Sequence, residues 1–439
     1  MNDNQDAYTN HYMIDFSKAI SLIDQNSAPV ADESVELKNA SGRILSADIY
    51  SPMSIPNFDN SAMDGYAVCH KDLQKATRQS PIELTLAGLS AAGDKIANAQ
   101  TPQGTAWKIM TGAPVPKGYD AIIPVENTSL NSKVLNRKTD EPIKAKDEIE
   151  YVSCYSSPDR GAHIRSSGED FLKGQLVLKA NTIINSNRVM ALASLGVAEV
   201  PVKSKPTIAV FSTGKELVDD PTIELQPGQI RNSNMPYIID YLKKLPVDVF
   251  NAGTNYDDVE HYQKALQQQL DKGTNLIIST GAVSMGDFDF IPQTIIKMGG
   301  TIIFHKSKIR PGKPILFAKF PNGSYYFGLP GNPISATIGL RFFVSHLILR
   351  LINMPSEQPI RAKLENSKRK KLGFKNILKA HASIDENGYL KTSILAGQES
   401  FKIHPLIDAN GWVILSESTE NAAQNDPVDY YFSNINFDF

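Results

Sequence analysis

The sequence predicts a multidomain α/β plus β protein. A central doubly wound, mostly parallel α/β domain is preceded by a β-rich insert domain and followed by a small β-barrel-like domain. Three observations predict this. A chain of 439 residues is too long for one hydrophobic core and suggests roughly three domains. Between residues 206 and 355, buried-strand patterns alternate with helical ones, implying right-handed crossovers and a mainly parallel sheet. On both sides of that stretch, short strand signals punctuated by Pro and Gly dominate.

Taken in order, residues 14–24 place Ile14, Ala19, Ile20 and Ile23 at helical spacing, which predicts a short amphipathic helix. "ESVELKNASGRILSADIYSP" follows as short alternating runs with a turn at Ser41-Gly42. Residues 51–164 form the predicted insert, with "IELTLAGLSAAG", "GTAWKIMTGAPVPKG" and "DAIIPVENT" as strand regions. Its stretch "LNSKVLNRKTDEPIKAKDEIE" is charged, turn-rich and expected to be exposed. "QLVLKANTIINSNRVMALASLGVAEVPV" predicts a strand, a helix and a strand, so that 1–50 and 165–205 make one discontinuous domain.

Lys203-Ser204-Lys205-Pro206 marks the next boundary. "TIAVFSTGKEL" is a buried strand ending in a Ser-Thr-Gly turn, and "NSNMPYIIDYLKKL" is a helix with Asn232 or Ser233 as candidate cap. "VDVFNAGTNYDD", "VEHYQKALQQQLDKG" and "NLIISTG" read as strand, helix and strand. "GTIIFHKSKIRPGKP" adds a strand, and "SYYFGLPGNPISATIGLRFFVSHLIL" a strand, a tight turn and a long helix. After Met354-Pro355, residues 356–439 are strand-rich again, with "GYLKTSILAG" and "GWVILSES".

Composition narrows the class. A net charge of -2 offers no global basic field for nucleic acid or an anionic membrane, so any anion site must be built locally. The two cysteines, Cys69 and Cys154, fit a reducing compartment, and the eight histidines show no zinc-ligand spacing. "MNDNQDAYTN" lacks a signal pattern, and the apolar run Ile338–Ile352 carries Arg341, His346 and Arg350, unlike a membrane span. The expectation is a cytoplasmic enzyme.

The chemistry-bearing features cluster at strand ends. Ser212-Thr213-Gly214 and Ser279-Thr280-Gly281 are one device used twice; glycine lets backbone amides approach a phosphate, and the hydroxyls add donors. In open α/β sheets ligands bind beyond the carboxyl ends of the strands. "FGLPGNPIS", with Pro330, Gly331, Asn332 and Ser335, is a third loop of this kind, preceding a helix whose N-terminus suits an anion. Asp287 and Asp289 follow the second loop at alternate positions, so both acids are able to face one site while Phe288 and Phe290 bury. Carboxylates beside a phosphate loop suit Mg²⁺, and Glu216 offers another. "KSKIRPGKP" sets Arg310 and Lys313 around a Pro-Gly turn as a candidate oxyanion pocket, whereas "SKRKK", Ser367–Lys371, reads as a solvated face. In the first region, "NFDNSAMDGYAV" (with Asp64), "IMTGAPVP" and "GAHIRSSGEDF" repeat the theme of small residues, glycine and acid.

Together "PNFDNSAMDGYAV", "IMTGAPVPKGYDAIIPVENT", "IRSSGEDF", "FSTGKEL", "GQIRNSN", "STGAVSMGDFDF", "IRPGKP" and "GLPGNPISA" resemble the MoeA-type molybdopterin molybdenumtransferases, and also the C-terminal domain of gephyrin. The resemblance implies insertion of molybdate into adenylylated molybdopterin, with Mg²⁺-dependent release of AMP. By motif it assigns Asp289 and Glu216, with Ser284 and Asp287 nearby, to Mg²⁺ and the pyrophosphate, and Asp257 to metal insertion. Asn234 joins the loops as a substrate contact. Lys306, Arg310, Lys313 and Ser335 would bind molybdate or substrate phosphates, and Ser400, in "GQESF", would complete the pocket. Asp64, Thr111 and Asp170 would approach across a homodimer interface formed by the discontinuous N-terminal domain. The resemblance also makes the molybdopterin adenylyltransferase a candidate partner.

The chain departs from the family pattern at Ala282 and Pro292, where Gly and Lys are common, and around Asn376, near which an Arg is common; a methyl at Ala282 fits if the backbone φ there is negative. Two other functions fit parts of the chain. The α/β domain alone resembles the adenylyltransferase, and gephyrin shows that the fold serves as a scaffold. The additional β-rich motifs, "IRPGKP" and the intact acids and cations favour metal insertion.

Overall fold

The computed structural model describes residues 13–134, 148–282 and 290–435. The chain separates into two compact units. One comprises Met1–Ala47, Ala180–Ser186 and Glu199–Phe439, the other Asp48–Lys179 and Asn187–Ala198.

The first unit is organised around a six-stranded sheet. In chain order its elements are β1 (Thr207–Thr213), α1 (Asn234–Leu242), β2 (Asp248–Asn255), α2 (Val259–Asp271), β3 (Leu276–Thr280), α3 (Ile291–Lys297), β4 (Thr301–His305), β5 (Leu316–Lys319) and β6 (Tyr325–Leu329). The strand order is β2-β1-β3-β6-β5-β4. The first four run parallel, and the β6–β5 and β5–β4 pairings are antiparallel. Apolar runs make this layer: all five β3 residues and all five β6 residues are buried, as a strand covered on both faces requires. Asn232, not Ser233, caps α1, its side chain accepting a 3.2 Å bond from the Met235 amide.

The long apolar stretch after β6 is a core helix. It runs Pro333–Leu351 and is 94% buried, with mean hydropathy 1.4. A π-helical turn at Leu340–Val344 interrupts it. Its polar groups are matched internally: both terminal nitrogens of Arg341 lie 2.7 Å from Glu357, its Nε donates to the Phe432 carbonyl, and His346 meets Asp24 at 2.8 Å. The N-terminal helix spans Phe16–Asn26 and buries Ala19 and Ile23, two residues later than its apolar spacing suggested.

Beyond residue 355, strands Ile360–Leu364, Lys375–Ile384, Leu390–Ile394, Gly411–Leu415 and Pro427–Phe432 close into a small barrel around Leu378, Val413 and Tyr430. The short strand Ile309–Arg310 pairs in parallel with Lys375-Asn376, which ties the cationic run of the α/β layer to the barrel.

The second unit holds its own six-stranded sheet. The order is Ala121–Pro124, Gly65–Val68, Thr105–Ile109, Ile82–Ser90, Glu148–Cys154 and Thr128–Val134, with cores on both faces.

Candidate active site

Parallel register brings the three glycine loops together. Phe211 pairs with Ser279 and Ser212 with Thr280, while Ser279 pairs with Gly328 and Thr280 with Leu329. All three loops therefore leave the carboxyl ends of adjacent strands. The Gly281 amide donates to the Leu329 carbonyl at 3.0 Å, and the Gly214 amide to Asn255 at 2.9 Å. Thr213 and Ser279 hydroxyls lie 3.3 Å apart, and Ser212 donates to Asn232 at 3.3 Å. Ser212 and Ser279 are fully buried, so they brace the loops from beneath.

These loops line a cavity of about 700 Å³. Thr213, Gly214, Glu216, Asn234, Asp257, Thr280, Gly281, Pro330, Gly331 and Asn332 all contribute. Asn234 is aimed by its 2.8 Å bond to the Gly331 carbonyl. Asp257 sits at φ +64 in a turn held by reciprocal 3.0 Å bonds between Asn255 and Asp258, and its carboxylate accepts from the Lys215 amide at 3.2 Å. Such left-handed non-glycine positions carry strain and concentrate at functional sites. Ala282 is another: its φ is +51, so the negative angle that would accommodate its methyl is not found, and the residue occupies a conformation that suits glycine better.

A second cavity of about 860 Å³ is cationic. Arg310, Lys313, Lys368, Ser335 and Ser400 line it, with Phe374 and Gln398. Pro314 lines both cavities, so the two adjoin. Arg310 lies over the Phe374 ring, 5.1 Å from its centroid, which fixes the guanidinium plane. Lys306, at φ +88, lines neither cavity, yet burial first and the neighbouring Lys313 charge second lower its ammonium pKa. Two cations held this close favour an anion nearby. One N-terminal amide of the core helix, that of Ile334, is already taken by the Ser400 carbonyl at 3.0 Å. The helix start thus anchors the Ser400 segment.

The remaining predicted residues lie elsewhere. Asp287, Asp289 and Ser284 fall outside the described residues. Phe290 packs edge-on against Tyr262 at 5.5 Å. Asp64 and Thr111 meet in the second unit: the Thr111 amide and hydroxyl donate to one carboxylate oxygen at 2.7 and 2.8 Å and hold that carboxyl below its ordinary range. Asp170 stands in the same unit, its amide bonded to the Ile55 carbonyl at 2.9 Å.

Sequence reasoning missed several lining groups. Arg231 and Asn232 line the first cavity from within "GQIRNSN", a motif that was itself visible. The view of Ser367–Lys371 as a solvated face is corrected: Lys368 lines the cationic cavity, and Lys370 is buried with its ammonium on the Lys371 and Phe374 carbonyls. Phe401, the last residue of "GQESF", and Ile403, which follows it, also line the first cavity, although only Ser400 of that segment stood out by its chemistry.

Fold and site define a binder of phosphate- and oxyanion-bearing small molecules, with paired cavities beside a parallel sheet. Comparison with known proteins narrows that class. The family description "MoeA N-terminal region (domain I and II)" matches residues 14–196, and "Probable molybdopterin binding domain" matches 209–350. The molybdopterin molybdenumtransferase of Synechococcus elongatus is 33% identical over 422 residues, covering 95% of this chain and 99% of that protein. That of Haemophilus influenzae is 33% identical, covering 93% and 95%. A crystal structure of the molybdopterin biosynthesis MoeA protein from Pyrococcus horikoshii superposes with a TM-score of 0.78 at 27% identity, over 96% of this chain and 99% of that one. The chain belongs to the molybdopterin molybdenumtransferase family.

Proposed function

We propose that this protein inserts molybdate into adenylylated molybdopterin and releases AMP, giving molybdenum cofactor. The observation that carries this reading is the pair of adjoining cavities sharing Pro314. One offers backbone cradles and carboxylates for a nucleotide's phosphates, and the other offers Arg310, Lys313 and Lys368 for a tetrahedral dianion.

Within this reading the Ser-Thr-Gly loops hold the phosphoanhydride, and Asn234 and Asn332 orient it. Ser335 and Ser400 donate hydroxyls to the oxyanion, with Lys306 adding charge behind Lys313. Mg²⁺ fits the donor set: Glu216 and Asp257 are hard oxygen ligands on one rim, and that ion commonly takes one or two carboxylates plus substrate phosphates. Among the described residues no three His, Cys, Asp or Glu gather to hold a metal by themselves, which suits an ion shared with substrate. Asp289, with Asp287 and Ser284, is assigned to the same ion on its motif. When bound, Mg²⁺ would neutralise charge on the cleaved bond.

Asp64, Thr111 and Asp170 are assigned to the site across a homodimer interface. An adenylyltransferase would supply the substrate, and a reducing cytoplasm fits the two free buried cysteines. Purified protein given adenylylated molybdopterin, molybdate and Mg²⁺ is expected to release AMP and yield active cofactor; absence of AMP release overturns the proposal.

A further inference from the structure

The cavity between the glycine loops has two kinds of wall. Backbone, hydroxyl and carboxylate groups share it with aliphatic residues, among them Leu217, Ile230 and Pro330. The segment after Ser400 adds Phe401, 63% exposed, and Ile403, 44% exposed, and among the described residues Phe401 is the one aromatic ring in the lining. A phosphate cradle has no use for a solvated phenyl ring, and leaving large apolar side chains in water forfeits the stabilisation that burial would bring.

The exposure is built in. The Ser400 carbonyl accepts from the Ile334 amide at 3.0 Å, and the Lys402 carbonyl accepts from the Lys379 ammonium at 3.0 Å. Lys379 is wholly buried. The Gln398 side chain accepts from the Lys379 amide at 3.0 Å and donates to the Lys379 and Leu395 carbonyls at 2.9 and 2.8 Å. Phe401 therefore projects from a backbone fixed on both sides, which keeps the ring at the rim of the cavity. A solvated aromatic on an anchored backbone beside a nucleotide-sized cavity is the arrangement that stacks a planar heterocycle.

We propose that Phe401 is the stacking platform for the adenine of the nucleotide-bearing substrate and thereby a specificity residue of this protein. This deepens the molybdenum-insertion reading and rests on it. The dithiolene sulfurs that receive the metal adjoin the pterin, so the pterin half must reach toward the cationic cavity. That leaves the adenylate for the cavity with the Ser-Thr-Gly cradles, Glu216 and Asp257, where Phe401 stands. Phosphates fix the ligand's position, and the ring reads whether a base is attached.

The test is calorimetric binding of AMP, ribose 5-phosphate and pterin to the full chain as wild type, F401A and F401W. The substituted side chain is exposed, and equal thermal melts confirm intact folding. F401A is expected to weaken AMP about 10- to 100-fold, F401W to restore it, and ribose 5-phosphate to bind all three proteins alike. Unchanged AMP affinity in F401A, or an equal loss for ribose 5-phosphate, overturns the stacking role. A loss confined to pterin overturns the adenine assignment. Wild-type protein that fails to bind AMP defeats the transferase reading itself, whereas wild type and F401A binding AMP equally well defeats only the role of Phe401.

Discussion

A β-carbon on Gly281 would lie 2.2 Å from the carbonyl oxygen of Thr213, so the two Ser-Thr-Gly loops meet backbone to backbone. Gly281 also holds φ at +91, a region that side chains oppose. Replacement by alanine must therefore separate the loops. G281A is expected to lose about 1–3 kcal/mol of stability and most AMP affinity. Urea denaturation and calorimetry check this, and a variant matching wild type in both would show that the loops can part without cost.

The next residue reverses the sign. Ala282 stays at φ +51 with a methyl group that favours a negative angle. A282G relieves that strain while adding backbone freedom to the unfolded chain, so a net gain of about 0.5–1 kcal/mol is expected. A lower denaturation midpoint in A282G would mean that the packing of the methyl against its neighbours outweighs the strain.

Lys306 predicts a pH limb. Burial and then Lys313 lower its pKa, so it loses its proton at a lower pH than an ordinary lysine. Molybdate remains a dianion throughout, and neutral Lys306 no longer attracts it. Molybdate affinity is thus full while Lys306 is charged and falls as pH rises through the depressed lysine value. K313M removes the repulsion and is expected to move that midpoint upward while weakening binding overall. A midpoint that stays in place would uncouple the two lysines.

Much of this architecture is legible along the chain. The β1, β3 and β6 runs are apolar for their whole length because both faces are covered, and the Ser-Thr-Gly turns stand out at their ends. What the sequence hides is long-range pairing. The cationic cavity draws Arg310 and Phe374 from segments distant in the chain, whose neighbours meet through the pairing of Ile309–Arg310 with Lys375-Asn376. Lys370 is charged yet buried because two carbonyls receive it. Phe401 looks like any loop phenylalanine until Lys379 and Ile334 are seen to pin its neighbours.

The buried ion pair in the core helix makes a stability prediction. Arg341 is 2% exposed and engages Glu357 through both terminal nitrogens. Removing one partner strands a charge in the interior. E357A is expected to cost about 3–5 kcal/mol, whereas the double variant R341M/E357L costs far less because no charge remains unpaired. Equal losses in the single and double variants would locate the effect in packing instead.

Lys368 and Lys371 belong to one basic run, yet only Lys368 lines the cationic cavity, and Lys371 is exposed. A cation beside a dianion at a partly solvated site contributes on the order of 1 kcal/mol. K368A is therefore expected to raise the molybdate concentration needed for half-maximal insertion about 3- to 10-fold, with the AMP affinity unchanged because the proposal assigns the adenylate to the other cavity. K371A, which alters the same net charge, is the control and is expected to leave both quantities as in wild type. The comparison removes any general field effect, since a loss of one positive charge at that distance from the cavity is screened by salt. If both variants shift the molybdate requirement equally, the run acts only through its overall charge, and Lys368 has no individual place in the oxyanion pocket.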